Sequence, residues 1–190
     1  MIKKRAQIAA EFSDRESIRD CLYRYCRGID RLDVDLILSA YWPDATDEHG
    51  NFLANSAQEF VDHAVPIIKS MDLTTHFMGN ILIDIQGDAA FVESYIQAFH
   101  RMARADGTRY DHMSSSRFID RMEQRDDEWR IKRRVVVRDW FREFPDSGDW
   151  NNGLLPQTLG YGKREPLNLG LRKPEDPSYA LRNGILDQIS

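Results

Sequence analysis

At 190 residues, 42% of them hydrophobic and 30% charged, the chain fits one globular domain of ordinary size plus an extension, and its composition is a poor fit to disorder. A net charge of −5, with acidic residues interleaved among the basic ones, lacks the positive footprint that neutralises phosphates, so nucleic acid is not an expected partner. The basic start, Met1 to Ala6, is not followed by a signal-type apolar run, and no stretch reaches the roughly 18 apolar residues of a membrane span, so a cytoplasmic protein is expected.

Ser13-Asp14-Arg15-Glu16 has the form of a capping box, and Ile18, Cys21, Leu22, Tyr25, Cys26 and Ile29 follow at helical spacing, which predicts a first helix over 14–31. Cys21 and Cys26, the only two cysteines, lie on this one helix, a geometry that suits neither a local disulfide nor a zinc knuckle and leaves them as small core residues. Asp30 falls on the edge of the same apolar face, and Gly28 just before it lets another backbone or a ligand come close. A second helix is expected over 33–42, stopped by Pro43, then a short hairpin over 45–54 turning at His49-Gly50-Asn51. Asn55 and Ser56 can cap a third helix over 57–71, with a kink or break at Pro66.

From Leu73 the apolar period becomes two. Strict alternation places His76, Met78, Asn80 and Leu82 on one face and Phe77, Ile81, Ile83 and Ile85 on the other. Turns at Gln86-Gly87-Asp88, Asp106-Gly107 and Arg125-Asp126-Asp127 divide the rest into strands over 89–105, 108–122 and 129–141. The basic run Arg130 to Arg138 reads as a strand with a charged outer face. Helices followed by a meander of long strands, without β-α-β alternation, indicate an α+β fold.

Two units are expected, a domain over 1–144 and a C-terminal arm over 145–190. The arm is rich in Pro, Gly and Asn and lacks periodicity, yet it carries Leu154, Leu155, Leu159, Tyr161, Leu167, Leu169 and Leu171. That much apolar surface favours packing over a pocket or on a neighbouring subunit, in a homo-oligomer, trimer ahead of dimer.

No metal site is expected, because the five histidines are scattered without ligand spacing, and neither a phosphate-binding glycine loop nor a Gly-x-Ser-x-Gly elbow occurs.

Residues 23–33, Tyr41-Trp42-Pro43-Asp44-Ala45, Thr75-His76 with Asn80, Gly87-Asp88-Ala89, and Glu128-Trp129-Arg130-Ile131 with Arg134 together resemble the SnoaL-like branch of the nuclear-transport-factor-2-like superfamily, over about 14–141. The resemblance implies a strongly curved antiparallel sheet closed by three N-terminal helices into a cone-shaped α+β barrel with a deep apolar pocket. Members carrying an aspartate and a histidine at positions corresponding to Asp30 and His76 are lyases that need no cofactor: dehydratases, a dehydrochlorinase and a formaldehyde-releasing lyase acting on bulky aromatic or alicyclic molecules. The fold also serves isomerases, polyketide cyclases and non-catalytic subunits of ring-hydroxylating dioxygenases, so it does not decide function by itself.

The chemistry of the residues agrees with a lyase reading. A histidine that removes a proton needs a partner that fixes its tautomer, and a carboxylate on the other ring nitrogen provides this, with Asp30 in that role. Left on the surface at a helix C-terminus, Asp30 would oppose the helix dipole. By resemblance, Tyr25 assists a leaving hydroxyl and Arg134 a departing anion, with Arg133 or Arg138 facing inward instead if the strand bulges. By resemblance too, His100 is a second pocket histidine, with His112 as an alternative. His49 and His63 read as surface residues.

Overall fold

The computed structural model describes residues 5–146 and 170–187. Two helices, α1 (Arg5–Arg31) and α2 (Val34–Leu38), precede a hairpin of β1 (Tyr41–His49) and β2 (Phe52–Ala54). Helix α3 (Ala57–Lys69) leads into four long strands, β3 (Leu73–Gln86), β4 (Ala89–Ala103), β5 (Arg109–Arg125) and β6 (Glu128–Pro145), and α4 (Pro177–Asp187) closes the order. The strands form one six-stranded sheet in the order β2-β1-β6-β5-β4-β3, antiparallel throughout except where β1 runs parallel to β6.

The α+β class expected from sequence holds, but the closed barrel does not. The sheet ends at β2 on one side and β3 on the other, with no ladder joining them. Helices cover the concave face instead: Ile18, Cys21, Leu22, Tyr25 and Ile29 of α1, with Phe60 and Val61 of α3, bury against Ile83, Val92, Ile96, Phe118, Met122, Trp129 and Ile131. The expectation of three N-terminal helices is likewise corrected, since only two precede the sheet and α3 follows the first hairpin.

Helix α1 begins at Arg5, so Ser13 lies inside it and the Ser13–Glu16 box is not a start; Asp14 instead accepts the Trp129 indole N–H at 3.0 Å. Helix α2 is shorter than expected. Asp33 caps it through the Leu36 amide and it ends at Leu38, which releases Tyr41 and Trp42, both good strand formers, into β1. Pro43 sits within the irregular register between Tyr41 and Thr46, where a missing N–H is tolerated. Helix α3 is capped by Ser56 and runs through Pro66 without the expected break, with Pro66 exposed on its outer side.

The long strands match their expected bounds closely, and their turns use positive φ at Gly87, at Gly107 and at Asp126-Asp127. The long strands carry three register shifts, at Met78/Ile81, Ile131/Arg133 and Arg138/Trp140, and the first two bear on the inward residues. A register shift between Met78 and Ile81 changes parity within β3, so His76, Met78, Ile81, Ile83 and Ile85 share the concave face while Phe77 and Leu82 are exposed on the convex one. In β6 the ladder steps from Ile131 to Arg133 opposite Met122 and Arg121, leaving Lys132 as the extra residue and turning Arg134 inward.

Residues 147–169, which carry Leu154, Leu155, Leu159, Tyr161, Leu167 and Leu169, lie outside the described residues, as do the ends 1–4 and 188–190. Residues 170–179 bond back to the end of α1. Lys173 N–H donates to Arg31 O at 2.8 Å, Arg31 Nη1 to Leu171 O at 2.8 Å and the Tyr179 hydroxyl to Asp33 Oδ2 at 2.9 Å. Among the described residues no helix is long and apolar enough to cross a membrane.

Candidate active site

Asp30 occupies the last turn of α1 and is 8% exposed; His76 lies on the first half of β3, on the concave face. The fold brings them together through two bonds: Asp30 Oδ1 is 2.7 Å from His76 Nδ1, and Asp30 Oδ2 accepts the backbone N–H of His76 at 2.9 Å. Two contacts to one residue fix both the carboxylate plane and the ring. An anionic Asp30 accepts from Nδ1–H, which holds the neutral imidazole in the tautomer whose Nε2 lone pair is available as a base. Among the described residues Nε2 has no hydrogen-bond partner.

The concave face continues the histidine row across the sheet. The His100 ring meets that of His76 edge-on at 5.5 Å between centroids; His112, directly opposite His100 in the ladder, lies 5.8 Å from it and stacks on Phe141 at 5.6 Å. Burial, with the neighbouring His76 and His112, pushes His100 down to about 3. It is therefore neutral near pH 7 and acts as a hydrogen-bonding group rather than a reservoir of positive charge. Burial, then the nearby Arg138, lowers His112 as well. Arg138 is on the same face and solvent-exposed, whereas Arg133 points to the convex side and pairs with Glu48 at 2.7 Å.

Tyr25 and Arg134 meet each other deeper in the fold, in a cluster separate in its bonding from the His76–Asp30 pair. Arg134 is fully buried and donates to both oxygens of Asp120 at 2.7 Å, with a weaker contact to the Tyr41 hydroxyl at 3.3 Å. Its guanidinium lies 4.0 Å from the Phe118 ring centroid and 4.3 Å from that of Tyr25. Burial opposes its charge, but Asp120 more than compensates and holds Arg134 well above the ordinary arginine range. Burial also raises Tyr25, so its hydroxyl stays protonated.

Two sequence expectations missed polar groups here. Asp47, on the inner side of β1, belongs to this interior, where Tyr41 donates to its Oδ2 at 2.7 Å; His49 ends β1 beside the turn with its side chain 40% exposed, and the inner edge of its ring lies 5.9 Å from Phe60 and 6.5 Å from Phe118. Their i, i+2 spacing on a strand was the available signal. Arg172 was missed because its segment has no periodicity; it donates to Asp30 O at 2.7 Å and Thr74 Oγ1 at 3.0 Å. His63 does lie on the helix surface, stacked on Phe52 at 3.6 Å.

A hollow of about 350 Å³ opens beside the dyad, lined by Tyr23, Cys26, Arg27, Asp30, Arg31, His76, Phe77 and Met78. Burial pushes the Cys26 thiol up to about 12, which removes it as a nucleophile. Another hollow, of about 390 Å³, lies among convex-face residues such as Phe91, Ile119 and Val135 and touches neither dyad residue. No cluster among the described residues could hold a metal ion.

A SnoaL-like domain is matched over residues 10–135, most of the chain. The chain belongs to the SnoaL-like family. No curated protein gives a significant sequence match. Solved structures agree on the fold. A candidate scytalone dehydratase from Novosphingobium aromaticivorans aligns with TM-score 0.65 and 19% identity over 72% of this chain and 91% of that one. A type 2 hexachlorocyclohexane dehydrochlorinase gives TM-score 0.68 and 16% identity over 76% and 97%. A candidate aromatic ring hydroxylase from N. aromaticivorans gives 0.62 and 17% over 70% and 94%. At these identities the likeness to solved structures shows fold alone.

Proposed function

We propose that this SnoaL-like protein is a cofactor-independent lyase, acting on a bulky aromatic or alicyclic small molecule by eliminating water, halide or formaldehyde. The observation that carries the reading is the 2.7 Å bond between His76 Nδ1 and Asp30 Oδ1, which leaves Nε2 as the base. The dehydratase and dehydrochlorinase descriptions of similarly folded proteins add support, because each elimination needs one base and one group that polarises the leaving atom.

His76 Nε2 takes the proton, from carbon in an elimination or from a hydroxyl in loss of formaldehyde. Asp30 stabilises the imidazolium that results, and His100 donates a neutral hydrogen bond to the leaving oxygen or halide. Arg134, already bonded to Asp120, contributes by holding the Tyr25 side of the site rather than by meeting the leaving group directly. The protein works as a homo-oligomer in this reading, and the exposed Phe77, Leu82, Phe91 and Tyr95 on the convex face are the apolar surface that a second copy would cover.

The test is a screen of the purified protein against aromatic and alicyclic alcohols, diols and halides, read by mass spectrometry for loss of water, formaldehyde or hydrogen halide. His76→Ala and Asp30→Asn serve as controls, each expected to lower turnover by at least roughly 10²-fold with the fold intact. Full turnover in either variant removes the dyad. The competing reading, a non-catalytic subunit of a ring hydroxylase, is favoured by that same convex face and by the hydroxylase-like neighbour. It predicts insolubility without a co-expressed partner and no turnover in the screen.

A further inference from the structure

The dyad joins two elements with no covalent reason to stay in register, the last turn of α1 and the first half of β3. At the backbone carbonyl of Asp30 lies a side chain from the C-terminal segment. Arg172 Nη1 donates to Asp30 O at 2.7 Å and to Thr74 Oγ1 at 3.0 Å, and its Nη2 lies 3.4 Å from Ile68 O at the end of α3. Thr74 is fully buried and two residues before His76 on the same face of β3. One planar guanidinium therefore spans the helix that carries the carboxylate, the strand that carries the imidazole and the end of a third element.

We propose that Arg172 is a positioning residue of the His76–Asp30 pair, tying the two elements together and keeping a fixed cation behind the carboxylate. This deepens the lyase reading and rests on it. Asp30 O is among the last carbonyls of α1, which have no amide of the next turn to accept from, and a cation there also favours the helix dipole. Asp30 itself is a negative charge at that same end, an arrangement the dipole opposes and a guanidinium offsets. The segment that carries the guanidinium is itself held in place. The residues flanking Arg172 bond to Arg31, through Leu171 O and Lys173 N–H, so the side chain leaves a backbone anchored on both sides. Asp176 N–H closes onto Arg172 O at 2.9 Å, and Asp176 Oδ2 accepts the Leu171 N–H at 3.0 Å, which fixes the turn locally.

A cation behind Asp30 makes the imidazolium of His76 harder to form. The charged and titratable groups around the ring are Tyr23, Cys26, Arg27, Asp30 and Arg31 on α1 and His100 on β4, with Arg172 bonded to Asp30 O. Removing the Arg172 charge while keeping Asp30 in place should make the dyad hold its proton more tightly. Loosening Asp30 from the ring should do the opposite. The direction of change therefore separates loss of the charge, which raises the midpoint, from loss of the tie, which lowers it.

The experiment compares the full chain with Arg172→Gln, which can still reach Asp30 O and Thr74 without charge, and with Arg172→Lys, which keeps charge on a single donor group. The His76 imidazole is followed by NMR across pH, assigned by its loss in His76→Asn; the acid limb of kcat/KM is measured alongside for any substrate found. In R172Q we expect the midpoint to rise by at least about half a pH unit, the scale of removing one charge from a partly screened site. In R172K it should stay within about 0.2 unit of the parent on the same scale. An unchanged midpoint in R172Q overturns the proposal, as does R172K behaving like R172Q; a lower midpoint overturns the role of the charge and leaves Arg172 the tie alone. Because the titration needs no substrate, it stands apart from the activity screen: full turnover in His76→Ala would end the lyase reading and leave this measurement intact.

Discussion

Replacing Arg134 by Met tests whether the buried Arg134–Asp120 pair is a structural keystone of the interior. Both side chains are fully buried and joined by two bonds of 2.7 Å, so Met at 134 leaves the Asp120 carboxylate without its counter-ion and the Tyr41 hydroxyl without its Arg134 contact. Breaking a buried pair from one side costs roughly 3–5 kcal/mol. For a chain of this size each kcal/mol moves Tm by about 2–4 °C, so the expected fall is about 6–20 °C. Removing both charges, as Arg134→Met with Asp120→Leu, also removes the desolvation cost of the pair, and the double variant should recover to within about 2 kcal/mol of the parent. Urea unfolding of the four proteins, parent, two singles and double, gives the coupling directly. If R134M alone costs less than about 1 kcal/mol, the pair is not holding this interior and the reasoning fails.

Other outcomes follow from the same geometry. His100 is held neutral down to about 3, below its unfolded value, so the unfolded chain binds the extra proton first. Its contribution to stability is complete above about pH 6.5 and is lost as pH falls toward 3, at up to roughly 1.4 kcal/mol per pH unit; His100→Gln should flatten the stability profile in that window, and an unchanged slope would refute it. Gly28→Ala places a methyl 2.8 Å from Ile37 Cγ1 and 2.9 Å from the Ile37 amide, and should cost about 1–3 kcal/mol of overpacking despite the gain of up to about 1 kcal/mol in helix propensity; a stabilised variant would show that α2 can move away. Ending the chain at Asp146 removes Arg172, Lys173 and Tyr179 from the end of α1 and should lower Tm and turnover together; retention of both would make the C-terminal segment dispensable.

The parts of the fold that repeat were legible in the sequence, and the parts that interrupt repetition were not. The strand bounds and three of the turns followed from alternation and from Gly87, Gly107 and Asp126-Asp127. A bulge adds one residue without a compositional mark, so alternation carried past Asn80 put Ile83 on the face opposite His76, when the two share one. The same device at Lys132 is why the inward arginine could be narrowed only to three candidates. Ser13 misled because a good capping box can also lie inside a helix when residues upstream continue it. The meeting of Asp30 and His76 came from resemblance, since no local rule joins positions so far apart in sequence. Arg172 had no such guide: its role depends on where an aperiodic segment returns.

The parallel pairing of β1 with β6 has a kinetic consequence. Every other ladder joins neighbours in the chain, but Tyr41 waits for Ile131 and Asp47 for Arg134. Closing so large a loop costs chain entropy before any contact repays it, so this step should come late and set the folding rate. During synthesis the β1–β2 hairpin would leave the ribosome with one edge bare, and Tyr41 and Asp47 would face water until the final strand arrived. Slow-refolding molecules should therefore keep exchange-labile amides in β1 after those of β3, β4 and β5 are protected.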